Sequence, residues 1–284
     1  MGKYINPFTD AGFKRIFGQE ANKDLLINFL NEIIQGESPI VDVKYHDKEI
    51  FPQFYDGRRI IYDIYCTTQD GEHVIVEMQN ASQPFFKDRS IFYAASAIAQ
   101  QGMAGKEWSF DIKRVYGIFF LNFILNDAHN WKLKTEVVLK FKETDELFSD
   151  KLHLFYITLP KMTKREDECV TDFERWIYNL KHMETMERMP FKGNNMIFGR
   201  LEEVSNLNAL SRQERMNYEE SLKVYRDNKA ILSYAIEQGF EQGIEKGKVE
   251  TLSANIRNMR NAGLDNPTIA KYLGLSVEEI LSYS

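Results

Sequence analysis

The sequence predicts an α/β protein, a mixed sheet flanked by helices, with a helical extension at its C-terminal end. Three observations lead there. Residues 58–79 hold two apolar runs around Gln69-Asp70-Gly71, the pattern of a β-hairpin. Residues 114–123 are almost continuously apolar, as a strand covered on both faces requires. Helical periodicity precedes the hairpin at 21–35, returns at 85–101, and dominates after Pro190.

Taken in order, Thr9 or Asp10 caps a short helix in which Phe13 and Phe17 share a face and Asp10 and Lys14 sit four residues apart as an ion pair. Leu25, Leu26, Phe29, Leu30, Ile33 and Ile34 form the stripe of a second helix ending near Gly36. Residues 39–50 alternate as a first strand, and the hairpin supplies the second and third. Pro84 starts a helix over 85–101, with Arg89 and Tyr93 one turn apart and Gln83 and Lys87 nearby. Residues 114–123, 132–141 and 151–159 are further strands, and 168–186 is a helix with Phe173, Trp176, Ile177 and Leu180 inside. Ser211 and Glu214 make a capping box for a helix running toward Gly239, Gly243 and Gly247. That glycine period suits close contact with another helix, because each interior Gly costs about 0.8–1.0 kcal/mol relative to Ala. Three short helices close the chain over 251–283, a helix–turn–helix spacing whose last helix begins with Glu278 and Glu279. The expected division is 1–190, a linker at 191–250, and a small helical unit at 251–284.

At 43% hydrophobic and 27% charged residues, 284 residues suffice for a sizeable core. The net charge of −6 argues against a generally basic nucleic-acid binder, although a basic groove is compatible with an acidic whole. No apolar run approaches the roughly 20 residues of a membrane span, and no leader pattern opens the chain. Cys66 and Cys169 form neither a CxxC nor a zinc spacing. The expectation is a cytoplasmic protein, away from membranes, with both thiols as small buried hydrophobes. His46, His73, His129, His153 and His182 show no metal-ligand spacing.

The chemistry concentrates in the hairpin. Asp63 and Glu77 stand where apolar residues are expected, and a desolvated acid is costly unless a cation or donor meets it. A two-residue loop would send the two acids to opposite faces. A three-residue loop, with Gly71 in the left-handed region, sets Asp63 opposite Glu77 with Cβ atoms roughly 4.5–5.5 Å apart. Gln79 would then share their face. Two carboxylates at that distance suit Mg²⁺ or Mn²⁺. A purely structural alternative binds Asp63 to backbone amides and Glu77 to Arg89 or Lys14.

Asn6-Pro-Phe-Thr-Asp10-Ala-Gly-Phe-Lys14, Tyr62-Asp63-Ile-Tyr-Cys66, Val76-Glu77-Met-Gln79 and Phe86-Lys-Asp-Arg89-Ser-Ile-Phe-Tyr93 together resemble the recombination-promoting nuclease/transposase family of bacteria, within the PD-(D/E)XK nuclease superfamily. The likeness extends through the C-terminal helices. It implies a restriction-endonuclease-like core and a Mg²⁺- or Mn²⁺-dependent DNA endonuclease, serving recombination, mobile elements or phage defence. It implies Asp63 and Glu77 as metal ligands and Gln79 as their catalytic companion. Gln79 stands where the superfamily has Lys, so a positive charge must come from elsewhere. Arg89, Lys14 and Lys87 are the candidates for phosphate contact, with Asp10 and Tyr93 as accessory residues. DNA is the expected partner, with self-association through the C-terminal helices. The rival readings are a catalytically silent DNA-binding relative and an oligomeric interaction protein on the same fold.

Overall fold

The computed structural model describes residues 2–36, 38–47, 49–50, 60–102, 109–125 and 131–283. Arg58, Arg59, His129 and, within the stretch expected as a first strand, Lys48 lie outside the described residues. The chain divides into two compact units, Met1–Tyr225 and Arg226–Ser284.

In the first unit, Thr9 accepts a hydrogen bond from Gly12 N–H and so starts α1, Asp10–Phe17. Helix α2, Lys23–Ile34, follows, its end set by Gln35 in the left-handed region rather than by Gly36. Strand β1 is Val43–Tyr45, and β2, Glu49–Ile50, pairs with β3, Ile60–Ile61, apart from the main sheet. The hairpin strands are β4, Ile64–Thr68, and β5, His73–Gln79. Helix α3 is Phe86–Ala99. Strand β6, Val115–Leu121, is buried at every residue. Strands β7, Lys134–Lys140, and β8, Leu147–Thr158, complete a six-stranded sheet in the order β1-β4-β5-β6-β8-β7. The β5–β6 and β6–β8 pairs are parallel and the others antiparallel. This explains the unbroken apolar run of β6, since a central parallel strand meets helices on both faces.

Those faces carry separate cores. On one, Val74, Val76, Ile118, Phe120 and Phe155 meet Phe13, Phe17, Phe29 and Trp176 of α1, α2 and α4 (Asp172–His182). On the other, Tyr65, Ile75, Phe119 and Tyr156 lie under Phe86, Ala94 and Ala97 of α3. The first core continues past residue 190. Helix α5, Ile197–Ser205, which the residue pattern did not announce, contributes Phe198, Leu201 and Val204. The first turns of α6, Arg212–Asn261, contribute Tyr218 and Leu222. Asn6 N–H donates to the Tyr218 hydroxyl at 2.7 Å. Tyr218→Phe would orphan that buried amide and should cost about 1–3 kcal/mol in denaturant unfolding.

In the second unit, α6 runs on without a break, and α7 (Asn266–Leu273, capped by Asp265) and α8 (Val277–Ser282, capped by Ser276 with Glu279) gather around Ile256, Ile269 and Ile280. Arg260 donates to the Tyr283 and Ile280 carbonyls, both at 3.0 Å, closing the end of α8. Apart from their own helix backbone and chain neighbours, Gly239, Gly243 and Gly247 have no described atom within 4 Å of where a Cβ would stand.

The hairpin loop has three residues. Thr68 N–H donates to Glu72 O at 2.9 Å, Gly71 N–H to Thr68 O at 3.0 Å, and Gly71 has φ +77°. The ladder pairs Ile64 with Val76 and Thr67 with His73. The same register carried one step on sets Asp63 across from Glu77. Gly71→Ala puts a Cβ on a left-handed residue and should cost about 1–2 kcal/mol, read as a lower melting temperature with the fold kept.

Candidate active site

Asp63 sits just before β4, where the ladder stops and the two acids take over the bonding. Asp63 N–H donates to Glu77 Oε1 at 3.0 Å. Met78 N–H donates in return to Asp63 Oδ2 at 2.8 Å. Each carboxylate therefore fixes the other strand's backbone. Glu77 is 2% exposed and Gln79 is 7% exposed, so the site lies within the fold. Gln79 Nε2–H donates to Glu77 Oε2 at 3.3 Å, holding the amide beside the acid.

Among the described residues, α3 brings a positive charge to Glu77. Arg89 Nη2 is 3.6 Å from Glu77 Oε2, and Arg89 Nη1–H donates to Gln83 Oε1 at 2.7 Å. The guanidinium also lies over the Tyr93 ring, 5.2 Å from its centroid. Tyr93 is placed by Tyr62, whose hydroxyl donates to Tyr93 O at 2.9 Å and whose ring meets it edge-on. Tyr62 directly precedes Asp63, so the first acid and the aromatic support of Arg89 enter on consecutive residues.

These contacts do not neutralise Glu77. Burial, then the charge of Asp63, push its carboxyl up from 4.5 to about 8, against the smaller pull of the Asp63 amide and Arg89. The contacts of the structural alternative are thus present: Asp63 on an amide and Glu77 on Arg89. They leave a buried carboxylate that favours a proton near neutral pH, and an added cation would relieve the same repulsion.

Lys14 and Lys87 stand elsewhere. Lys14 pairs with Asp10 at 2.5 Å, and both line a groove of about 540 Å³ against α6 with Arg15, Glu214 and Ser221. Asn80, just past the acid strand, donates from Nδ2–H to Phe8 O, ahead of α1, at 2.8 Å. Lys87 Nζ lies 5.3 Å from the Trp131 ring centroid, on a cavity lined also by Ile91 and Tyr156. Of the three candidate cations, Arg89 is the one that the fold brings to the acids. Both cysteines are buried, and burial pushes the Cys66 thiol up to about 12, which leaves it inert. His46, His73 and His153 are engaged by Thr67, Tyr65 and Glu136.

The donor set fits a hard divalent cation. The two opposed carboxylates offer oxygen ligands, as Mg²⁺ and Mn²⁺ prefer. Among the described residues no group of three or more His, Cys, Asp and Glu side chains could hold a metal. Mg²⁺ commonly takes one or two carboxylates and leaves its other positions to water and phosphate.

A family model described as PD-(D/E)XK nuclease family transposase matches residues 7–235. The chain belongs to that family. No curated protein and no solved structure matches it significantly. Its mixed six-stranded sheet between helices is the PD-(D/E)XK fold, with a long C-terminal helix added. Two features of this family member's site were not legible from residue types. The Met78 amide that holds Asp63 is a backbone group and leaves no mark in sequence. Tyr62 reads as an ordinary strand aromatic until α3 is placed above it. No described helix is long and apolar enough to cross a membrane.

Proposed function

We propose that this PD-(D/E)XK transposase-family protein is a divalent-metal-dependent DNA endonuclease. The observation that carries the reading is Glu77, a buried carboxyl facing Asp63 across the hairpin and incompletely answered by Arg89 at 3.6 Å. Asp63 and Glu77 hold Mg²⁺ or Mn²⁺, which when bound supplies Lewis acidity toward water and the scissile phosphate. Gln79 orients the attacking water or a ligand of the site. It cannot supply the charge that a lysine at this position would.

Arg89 supplies that charge. Its guanidinium is held at fixed position by Gln83 and the Tyr93 ring, so it can meet negative charge developing on phosphate with little reorganisation. Tyr93 is then a positioning residue. Lys14 with Asp10, and Lys87, act on DNA affinity rather than on the reacting phosphate, because Lys14 is paired with Asp10 and Lys87 lies by the Trp131 ring. The C-terminal helices, with the glycines of α6, serve DNA binding or self-association, and recombination or defence against mobile DNA is the setting that suits such a nuclease.

The test is conversion of supercoiled plasmid to nicked and linear forms with Mg²⁺, with Mn²⁺ and with chelator. Wild type should cut with either metal and not with chelator, and Asp63→Ala should not cut while keeping its fold. Equal cutting by wild type and Asp63→Ala would refute the assignment. No cutting by folded wild type with either metal would point to the silent relative that Gln79 in place of lysine otherwise suggests.

A further inference from the structure

Helix α3 opens on a strained residue. Phe85, directly before it, has φ 60° and ψ 27°, in the left-handed region. A residue with a Cβ is disfavoured there, and glycine or asparagine is the usual occupant. Burial does not offset the strain. Phe85 is 80% exposed and belongs to neither core, whereas its neighbour Phe86 is 3% exposed and packs on Phe119 and Tyr156. Nothing in folding therefore rewards phenylalanine at this position. Strain that the fold does not need points to function.

Phe85 is tied to the site. Arg89 N–H donates to Phe85 O at 2.9 Å, and Arg89 Nη1–H donates to Gln83 Oε1 at 2.7 Å. The guanidinium that reaches Glu77 is thus anchored to the turn that carries the ring. An open groove of about 440 Å³ adjoins Phe85, lined also by Ser82, Gln83, Lys87 and Asp88. Lys87 and Arg89 follow Phe85 by two and four residues, against the one acid Asp88 between them. A ligand arriving here meets a flat apolar face with positive charge beside it. A nucleotide answers both, with its base on the ring and its phosphates toward the cations. Phe110 also combines a positive φ, 61°, with 75% exposure, but it follows the other end of α3. The two properties alone do not make a site; the tie to Arg89 does.

We infer that Phe85 stacks on a base of the substrate DNA beside the scissile phosphate, as a wedge that unstacks the step being cut. The inference rests on the nuclease reading and extends it from metal and phosphate to the base. It also names the substrate class. DNA whose bases are already loosely stacked, as at a mismatch, is bound in preference to uniform duplex, because part of the unstacking is done.

The experiment uses the full-length protein in chelator, where DNA is bound and not cut. The probe is a duplex with 5-iodouracil in place of thymine, with and without a central mismatch. Long-wavelength irradiation joins iodouracil to aromatic rings stacked on it. Wild type should crosslink at Phe85 and bind the mismatched duplex more tightly. Phe85→Gly and Phe85→Leu should lose that crosslink and bind about tenfold or more weakly. Phe85→Trp and Phe110→Gly should bind as wild type does. Phe85→Gly should melt no lower than wild type, since glycine accepts the left-handed backbone, so its loss of binding is not a loss of fold. Unchanged DNA binding by Phe85→Gly would overturn the inference, leave the nuclease reading standing, and assign the ring to a protein partner. A wild-type crosslink that maps only to other residues would overturn it too. A wild type that binds no DNA, in chelator or with Mn²⁺, would overturn both.

Discussion

Glu77→Gln is expected to abolish cleavage and at the same time make the metal-free protein more stable at alkaline pH. The loss should be on the order of 10³-fold or more, the several kcal/mol that a bound metal contributes to phosphoryl chemistry. The gain follows from linkage. Burial and the charge of Asp63 raise the Glu77 carboxyl from 4.5 to about 8 in the folded protein, so the folded state holds a proton that the unfolded state releases. Stability from this group is complete below its unfolded value near 4.5 and is lost as pH rises through about 8. Integrated, the loss is on the order of a few kcal/mol. Wild-type protein without metal should therefore melt at falling temperature between pH 5 and pH 9 through this group, and Glu77→Gln should flatten that slope. Added Mn²⁺ should raise the wild-type melting temperature more at pH 8 than at pH 6, since the ligand binds metal only after losing its proton. A Glu77→Gln protein with an unchanged pH slope would show that the carboxyl carries its charge at neutral pH without help.

Arg89→Ala is expected to lower the cleavage rate by about 10²-fold or more at saturating DNA, with Arg89→Lys recovering part of it. The basis is position: Arg89 reaches Glu77 at 3.6 Å, whereas Lys14 is bound to Asp10 and Lys87 lies on Trp131. Lys14→Ala and Lys87→Ala should change the rate at saturating DNA by less than about threefold while weakening DNA binding, and a KM-against-kcat comparison separates the two effects. If either lysine variant loses as much rate as Arg89→Ala, the catalytic cation has been wrongly chosen.

The fold was legible wherever periodicity and burial agree. The apolar run at 114–123 had to be a strand covered on both faces, and it is β6, buried throughout. The capping pairs Ser211 with Glu214 and Ser276 with Glu279 stand where their spacing put them. Helix α5 was not legible, because Gly193, Asn194 and Asn195 read as a loop and its nine residues are too few to announce a period. Its burial of Phe198 and Leu201 in the first core also explains why packing runs past 190.

At the site, the opposition of Asp63 and Glu77 could be worked out from loop length alone, since strand register follows from turn type. The choice between Arg89, Lys14 and Lys87 could not. It depends on how α3 lies across the sheet, which is decided by Ser90, Ala94 and Ala97 packing beneath it, and small residues of that kind fix no angle in a sequence.

The most direct test of the account is calorimetric titration of Mn²⁺ into the full-length protein at pH 8, for wild type, Asp63→Asn and Glu77→Gln. The account predicts one site in wild type that is lost, or weakened at least about tenfold, in each variant, with proton release from wild type as the metal enters. Mn²⁺ binding of equal affinity in all three proteins would contradict it.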